Sequence, residues 1–226
     1  MNLFRILVFL SVILSGAVNS KTSEEESSNE YSQARLEAYA ILQTLNANLL
    51  GSKSATRTLQ VWCEDHQMAD IPKIIAIRDT SLNKEVSPEI RKMLQATTSD
   101  PIVYRRVKLY CGKHVLSEAD NWYLPTRLTP EMNNLLADTD TPFGVVVREL
   151  NFHRQTEKVD LLWQPLPKNW EQKKRMLTNK KSPLAIPDWV LQHQAILFSD
   201  KNVPFSYVIE TYTKEVFAFP ITDFSK

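Results

Sequence analysis

Two charged residues stand inside apolar, strand-like segments of the chain. Arg106 lies in residues 102–110 and Glu210 in residues 205–213. A charged side chain that points into a protein core needs a partner, because desolvation without one is costly. An anionic ligand in a pocket is one such partner. The alternatives are that strand alternation turns each side chain to solvent, or that the two side chains pair with each other.

Several other kinds of chemistry are excluded by the sequence. Beyond Gly16 the chain has only Gly51, Gly112 and Gly144, so it cannot contain a phosphate-binding P-loop or a dinucleotide fingerprint. It has no HExxH, CxxC or GxSxG motif, and its histidines stand apart from one another. We therefore expect neither a cofactor nor a bound metal.

The first 20 residues have the order of a cleavable signal peptide. A single charge, Arg5, precedes the apolar run Ile6 to Leu14 and a small-residue stretch that ends at Ser20. The apolar run is shorter than the roughly 20 residues of a membrane span. We predict cleavage near Ser20 and export to the periplasm or the medium, with no membrane anchor afterwards; a retained signal anchor is the alternative.

The remaining chain is divided by its composition. The acidic, serine-rich residues 21–30 indicate a polar tether, and residues 31–226 are enough for one domain. Without Arg5 the count of Lys and Arg falls from 27 to 26, which equals the 26 Asp and Glu, so the mature chain is formally neutral. Neutrality argues against a nucleic-acid partner. We expect a monomer.

The two cysteines, Cys63 and Cys111, could pair in an oxidising compartment. Cys63 lies in a helical pattern and Cys111 in a strand, so two separate buried thiols are the alternative.

Periodicity predicts an α+β fold with an antiparallel sheet covered by helices. Helices are predicted at 31–50, 54–67 and 130–137 from apolar spacing and capping residues. Alternating runs predict strands and hairpins at 71–78, 102–110 with 115–124, 152–163, 190–198 with 205–213, and 216–219. The run 145–147 is compatible with helix or strand. The proline-rich residues 164–188, with the basic clusters Lys173-Lys174-Arg175 and Lys180-Lys181, indicate a mobile surface insertion.

Part of the predicted central hairpin resembles a known family. The stretches Tyr104 to Cys111 and Ser117 to Pro125 resemble the central hairpin of the chorismate pyruvate-lyase family. Segments 49–56, 141–144 and 204–213 support the resemblance in the same order. The resemblance implies a single α+β domain with a buried ligand pocket. It also implies either a cofactor-free carbon-oxygen lyase that splits chorismate into 4-hydroxybenzoate and pyruvate, or a ligand-sensing domain such as that of some repressors.

The resemblance assigns roles to five residues. Arg106 would bind the ring carboxylate, which suits the planar fork of a guanidinium. Glu210 would meet the ring hydroxyl or help transfer a proton. Ala55 would offer a backbone contact, Phe143 would line the ring, and Arg154 matches a further family arginine.

The sequence departs from the family at Asp120 and Asn121, where the lyases place a glycine and an arginine against the ligand. An added carboxylate and a lost cation are unfavourable for a dianion. The predicted export also weighs against a lyase, because chorismate is made and consumed in the cytoplasm. The departures and the predicted export together favour an exported protein that binds a small aromatic or cyclic carboxylate over a lyase.

Overall fold

A computed structural model describes the backbone of residues 16–172 and 184–219, and the side chains from residue 33 onward within those ranges. The chain divides into two compact units, Met1–Tyr39 with Pro165–Ala185 and Ala40–Gln164 with Ile186–Lys226. The predicted insertion at 164–188 falls largely in the first unit. Its two basic clusters, and the first 15 residues of the predicted signal peptide, lie outside the described residues.

The first unit contains the beginning of helix α1 (Gly16–Leu50) and a short 3-10 helix at Trp170–Gln172. The Tyr39 and Trp170 rings pack edge to face at 5.9 Å. Residues 21–30, where the sequence indicates a polar tether, belong to this helix. No glycine or proline interrupts residues 17–50, so the helix can continue through the polar segment. Cleavage near Ser20 stays a prediction.

Short helices in the second unit begin at capping residues. The side chain of Ser54 accepts a hydrogen bond from the backbone of Arg57 and starts α2 (Ala55–Asp65), and Thr129 starts α4 (Pro130–Asp138) in the same way. Helix α3 (Pro88–Met93), capped by Ser87, was not predicted. Its Ser-Pro-Glu start is the same kind of signal that predicted α4.

The strands form an antiparallel sheet, which confirms the predicted fold class. The described strands are β1 (Ile74–Arg78), β2 (Val103–Cys111), β3 (His114–Tyr123), β4 (His153–Leu161), β5 (Trp189–Phe198) and β6 (Pro204–Thr213). Their spatial order is β1-β2-β3-β6-β5-β4. The pairing of β3 with β6 joins the two predicted hairpins in one sheet.

Two of the apolar runs form helices. Residues 145–147 belong to α5 (Phe143–Val146) and the 3-10 helix Val147–Leu150 that follows it. The predicted strand at 216–219 is wrong, because Lys214–Phe217 forms a 3-10 helix. Thr213 caps this turn, and Val216 and Phe217 are buried in it, so the apolar residues fill the core without pairing to a strand.

Helices of the second unit cover both faces of the sheet. On one face, Met132 of α4 and Phe143 of α5 pack in a cluster with Tyr123 and Phe205. On the other face, residues of α3 pack in a cluster with Trp122 and Tyr207. Adjacent strand residues such as Trp122 and Tyr123 thus pack into clusters on opposite faces of the sheet, as strand alternation requires.

A disulfide joins Cys63 of α2 to Cys111 at the end of β2, with a Cα separation of 6.0 Å. Both residues are fully buried. Of the two alternatives left open by the sequence, the structure has the disulfide, which ties α2 to the sheet.

Candidate functional site

A cavity lies between the sheet and the beginnings of α2 and α5. Its volume is about 60 Å³. The space therefore suits one small ring or acid. Its lining combines apolar side chains from the sheet and helices with a few polar groups: Lys53, Ser54, Ala55, Thr56, Arg105, Val107, Leu109, Ser117, Ala119, Asn121, Pro142, Phe143, Gly144, Phe152, Arg154, Leu197, Val208 and Glu210.

Arg105 is the buried cation at one side of this cavity. It lies in β2 opposite Asn121 of β3 and is only 5% exposed. Its Nη2 donates to the backbone carbonyls of Thr139 (3.2 Å) and Thr141 (2.9 Å), and its Nε has no hydrogen-bond partner. Among the described residues no carboxylate forms an ion pair with it. Burial, and secondarily the charge of Arg78, lower the Arg105 pKa to about 10.

Glu210 and Arg154 form a buried ion pair at the other side. Arg154 Nη1 lies 2.7 Å from Glu210 Oε2, and the Tyr212 hydroxyl donates to the same oxygen at 3.1 Å. Burial by itself would lower the pKa of Arg154, but the neighbouring Glu210 and Tyr212 raise it above its ordinary value. Arg154 Nε and Nη2 have no hydrogen-bond partner, so these two nitrogens remain available as hydrogen-bond donors beside the cavity.

His193 lies behind the ion pair and was missed by the sequence reasoning. It is fully buried in β5 opposite Glu210, and its Nε2 lies 2.8 Å from Asn46 Oδ1. Burial lowers the His193 pKa to about 4; Glu210 opposes this shift and Arg154 adds to it. The imidazole is therefore neutral near pH 7 and donates from Nε2 to Asn46.

The N-terminal turn of α2 forms the remaining polar wall. Lys53, Ser54, Ala55 and Thr56 line the cavity there. The amide groups of a helix N-terminus carry partial positive charge and favour an anion. This turn and Arg105 both contribute positive charge to the cavity wall, whereas Glu210 contributes a carboxylate that is paired with Arg154.

Five of the predicted site residues line the cavity: Ala55, Asn121, Phe143, Arg154 and Glu210. Asn121 accepts a hydrogen bond from the Ser206 hydroxyl at 2.6 Å, which orients its amide. These five residues come from three strands and two helices. Their roles in binding remain predictions.

The expectation that Arg106 points into the ligand pocket is wrong. Its side chain lies on the opposite face of the sheet, where Nη2 is 2.6 Å from Glu118 Oε2 and Nη1 is 2.8 Å from Asp120 Oδ1. Its Nε lies 3.3 Å from Asp79. The alternative that Arg106 pairs with Glu210 is also wrong.

Asp120 lies in the same outer cluster and not against the cavity, which corrects its assignment to the ligand site. Lys84 Nζ lies 2.6 Å from its Oδ2. Burial would raise the Asp120 pKa, but hydrogen bonds from Lys84, Tyr104 and Arg106 hold it below its ordinary value.

The sequence did contain the signal that separates the two arginines. Arg105 alternates with Val107 and Leu109, which line the cavity, whereas Arg106 alternates with Tyr104 and Lys108. Because alternate strand residues share a face, the arginine in phase with the apolar residues is the inward one.

Among the described residues, no cluster of three or more His, Cys, Asp or Glu side chains could hold a metal ion. No helix within the described ranges has the length and apolar character needed to cross a membrane.

The fold and the cavity together define an α+β protein with a small, partly electropositive pocket beneath two helix N-termini. The uncharacterized protein y4mC of Sinorhizobium fredii is 44% identical over 221 residues, which cover 96% of this chain and 93% of y4mC. The chain belongs to the same family as y4mC. No family model matches the sequence.

Solved structures that are similar to this chain share little sequence identity with it. PhnF from Mycobacterium smegmatis has a TM-score of 0.42 and 10% identity over 68% of this chain and 64% of PhnF. The ligand-binding domain of a putative GntR-family regulator from Bordetella bronchiseptica has a TM-score of 0.39 and 16% identity over 65% of this chain and 88% of that domain. The possible regulator YydK from Bacillus subtilis has the same TM-score and identity, over 67% of this chain and 63% of YydK, which is under two thirds of its length. Likeness at this level carries no argument about function.

Proposed function

We propose that the protein binds a small aromatic or cyclic carboxylate in the cavity between the sheet, α2 and α5. The single observation that carries the proposal is Arg105. It is a buried guanidinium that faces the cavity, has no carboxylate partner among the described residues and keeps an unsatisfied Nε. A buried cation without a counter-ion is unfavourable by itself, and a ligand carboxylate would supply the missing charge.

The rest of the cavity suits the remainder of such a ligand. Val107, Phe143 and Leu197 present apolar surface for a ring. The N-terminal turn of α2 adds partial positive charge to the cavity wall, and Glu210 can accept a hydrogen bond from a ring hydroxyl. The resemblance of the hairpin to the chorismate pyruvate-lyase family supports the same class of ligand.

Calorimetry with 4-hydroxybenzoate tests this proposal. We expect saturable binding by the purified protein and much weaker binding of 4-hydroxybenzamide, which has the same ring but no charge. Arg105→Gln should abolish binding of the acid. Equal binding of acid and amide, or full binding by the Arg105→Gln variant, would contradict the assignment of Arg105.

A second candidate is a chorismate pyruvate-lyase-type enzyme. Glu210 supports this candidate because its carboxylate faces the cavity, and the outward position of Asp120 removes the added carboxylate from the ligand's surroundings. Asn121 weighs against it, because an amide stands where the lyases place an arginine.

Incubation of the purified protein with chorismate separates the two candidates. A lyase should release 4-hydroxybenzoate and pyruvate in equal amounts, and Glu210→Gln should slow the release. If chromatography finds no product above the spontaneous rate while 4-hydroxybenzoate still binds, the binding function stands without the lyase.

We also propose that the protein is exported. The signal-peptide pattern of residues 1–20 supports export, and so does the buried Cys63–Cys111 disulfide, since such bonds persist mainly in oxidising compartments. Intact mass measurement of the protein recovered from fractionated cells should find a chain that begins near Lys21. A cytoplasmic chain that still begins at Met1 and has two free thiols would contradict the proposal.

A further inference from the structure

A wide groove continues outward from the cavity. It runs between the beginning of α2 and the segment from α5 to Phe152, and its volume is about 880 Å³. Six residues line both spaces: Lys53, Ser54, Thr56, Pro142, Gly144 and Phe152. The groove is therefore the outer part of one continuous space whose inner end is the cavity.

The groove is lined by cations without acidic partners. Lys53, Arg57 and Arg148 line it, and all three are exposed. No aspartate or glutamate is among its lining residues. Within the part of the chain that the structure describes, none of the three cations forms an ion pair. Three like charges around a concave surface attract anions more strongly than the same charges spread over a flat one.

We propose that the groove binds a second anionic group of the same ligand. The protein then recognises an elongated molecule with a ring carboxylate at one end and a carboxylate or phosphate at the other. This inference rests on the proposed function, since the ring end must occupy the cavity. The small inner volume admits a ring but not a long substituent, so any tail extends into the groove between Arg57 and Arg148.

A matched pair of probes tests the inference. The first is 3-(3-carboxypropoxy)-4-hydroxybenzoate, which keeps the ring carboxylate and hydroxyl of 4-hydroxybenzoate and carries a charged tail beside the hydroxyl. The second is the same compound with the tail carboxylate replaced by an amide. We expect the charged tail to bind about tenfold more tightly at low salt, because two or three exposed charge pairs together have about this effect. The preference should shrink in 0.5 M salt, where exposed charges are screened.

Variants locate the effect in the groove. The double variant Arg57→Gln/Arg148→Gln should lose the preference for the charged tail and keep the affinity for the amide probe. Lys201→Gln removes one positive charge from the exposed turn between β5 and β6 and should leave the preference unchanged. Circular dichroism of each variant should match that of the wild type, because the replaced side chains are exposed.

The outcomes distinguish this inference from the proposed function. If 4-hydroxybenzoate binds but the two tailed probes bind equally, or do not bind, the groove assignment is overturned and the cavity assignment stands. A preference that survives in the double variant also overturns it. If neither 4-hydroxybenzoate nor the tailed probes bind, the proposed function and this inference both fail.

Discussion

Replacing arginine by glutamine should have different consequences at the adjacent positions 105 and 106: loss of ligand binding at Arg105 and loss of stability at Arg106. Glutamine removes the charge at either position and keeps a polar side chain of moderate length. Because adjacent strand residues lie on opposite faces, Arg105→Gln changes the cavity, and Arg106→Gln changes the outer cluster of Asp79, Glu118 and Asp120.

Arg105→Gln should change the free energy of unfolding much less than Arg106→Gln does. The lowered pKa of about 10 means that the charged guanidinium opposes folding at pH 7 by on the order of 3 kcal/mol, a penalty that glutamine removes. The substitution also weakens the hydrogen bonds to the carbonyls of Thr139 and Thr141, at a cost of about 2 to 3 kcal/mol. The two effects nearly cancel, while the anchor for a ligand carboxylate is lost.

Arg106→Gln should be strongly destabilising. The guanidinium is 12% exposed and neutralises three carboxylates, two of them at 2.6 and 2.8 Å. Its loss leaves these carboxylates close together, with Lys84 and Lys108 as their remaining ion-pair partners among the described residues. Removing one partner from a largely buried ion cluster costs about 3 kcal/mol. For a chain of this size, that corresponds to a fall in Tm of roughly 6–12 °C.

Thermal melts with and without 4-hydroxybenzoate measure both effects in one assay. Arg105→Gln should melt near the wild-type temperature and show no shift with the ligand. Arg106→Gln should melt lower and keep the wild-type shift. The reasoning is refuted if Arg106→Gln loses the ligand shift while folded, or if Arg105→Gln destabilises the protein as much as Arg106→Gln does.

Three further predictions concern stability. Replacing Cys63 and Cys111 by serine should lower the free energy of unfolding by about 4 kcal/mol in denaturant titrations, because their disulfide closes a loop across a sequence separation of 48; a variant as stable as the oxidised wild type would contradict a structural disulfide. The pKa of Asp120 is lower in the folded protein than in the unfolded chain, so its carboxylate should stabilise the fold above the unfolded pKa, which is at about pH 3.9. This contribution should be lost as the pH falls below that value. Asp120→Asn should flatten that decline, and an unchanged acid profile would argue against the outer cluster. Gly112→Ala should lower the free energy of unfolding by about 1–2 kcal/mol, because φ at Gly112 is +56° and an added Cβ would lie 2.7 Å from the Cβ of Ala69. Gly144→Ala serves as the control, because a Cβ there makes only ordinary van der Waals contacts.

The local parts of the fold could be predicted from the sequence. Ser54 and Thr129 begin helices because their side chains cap nearby backbone amides, and the runs around Cys111 and Ser199 form hairpins because alternation and turn residues are readable over a dozen positions. The cost of burying Glu210 was also evident from its apolar neighbours. The strand predicted at 216–219 failed because four apolar residues fit a buried turn as well as a strand.

What the sequence by itself determined is a set of elements, an α+β class and a short group of charged residues in need of partners. Only the tertiary structure decided which partners they have. Arg154 pairs with Glu210 across a separation of 56 positions, and His193 meets Asn46 across 147. Helix caps and strand alternation arise from neighbours along the chain, whereas an ion pair or a cavity depends on how distant strands and helices pack. Strand alternation already separates Arg105 from Arg106, but only the packing shows that Arg105 borders a cavity and that Arg106 has three carboxylate partners.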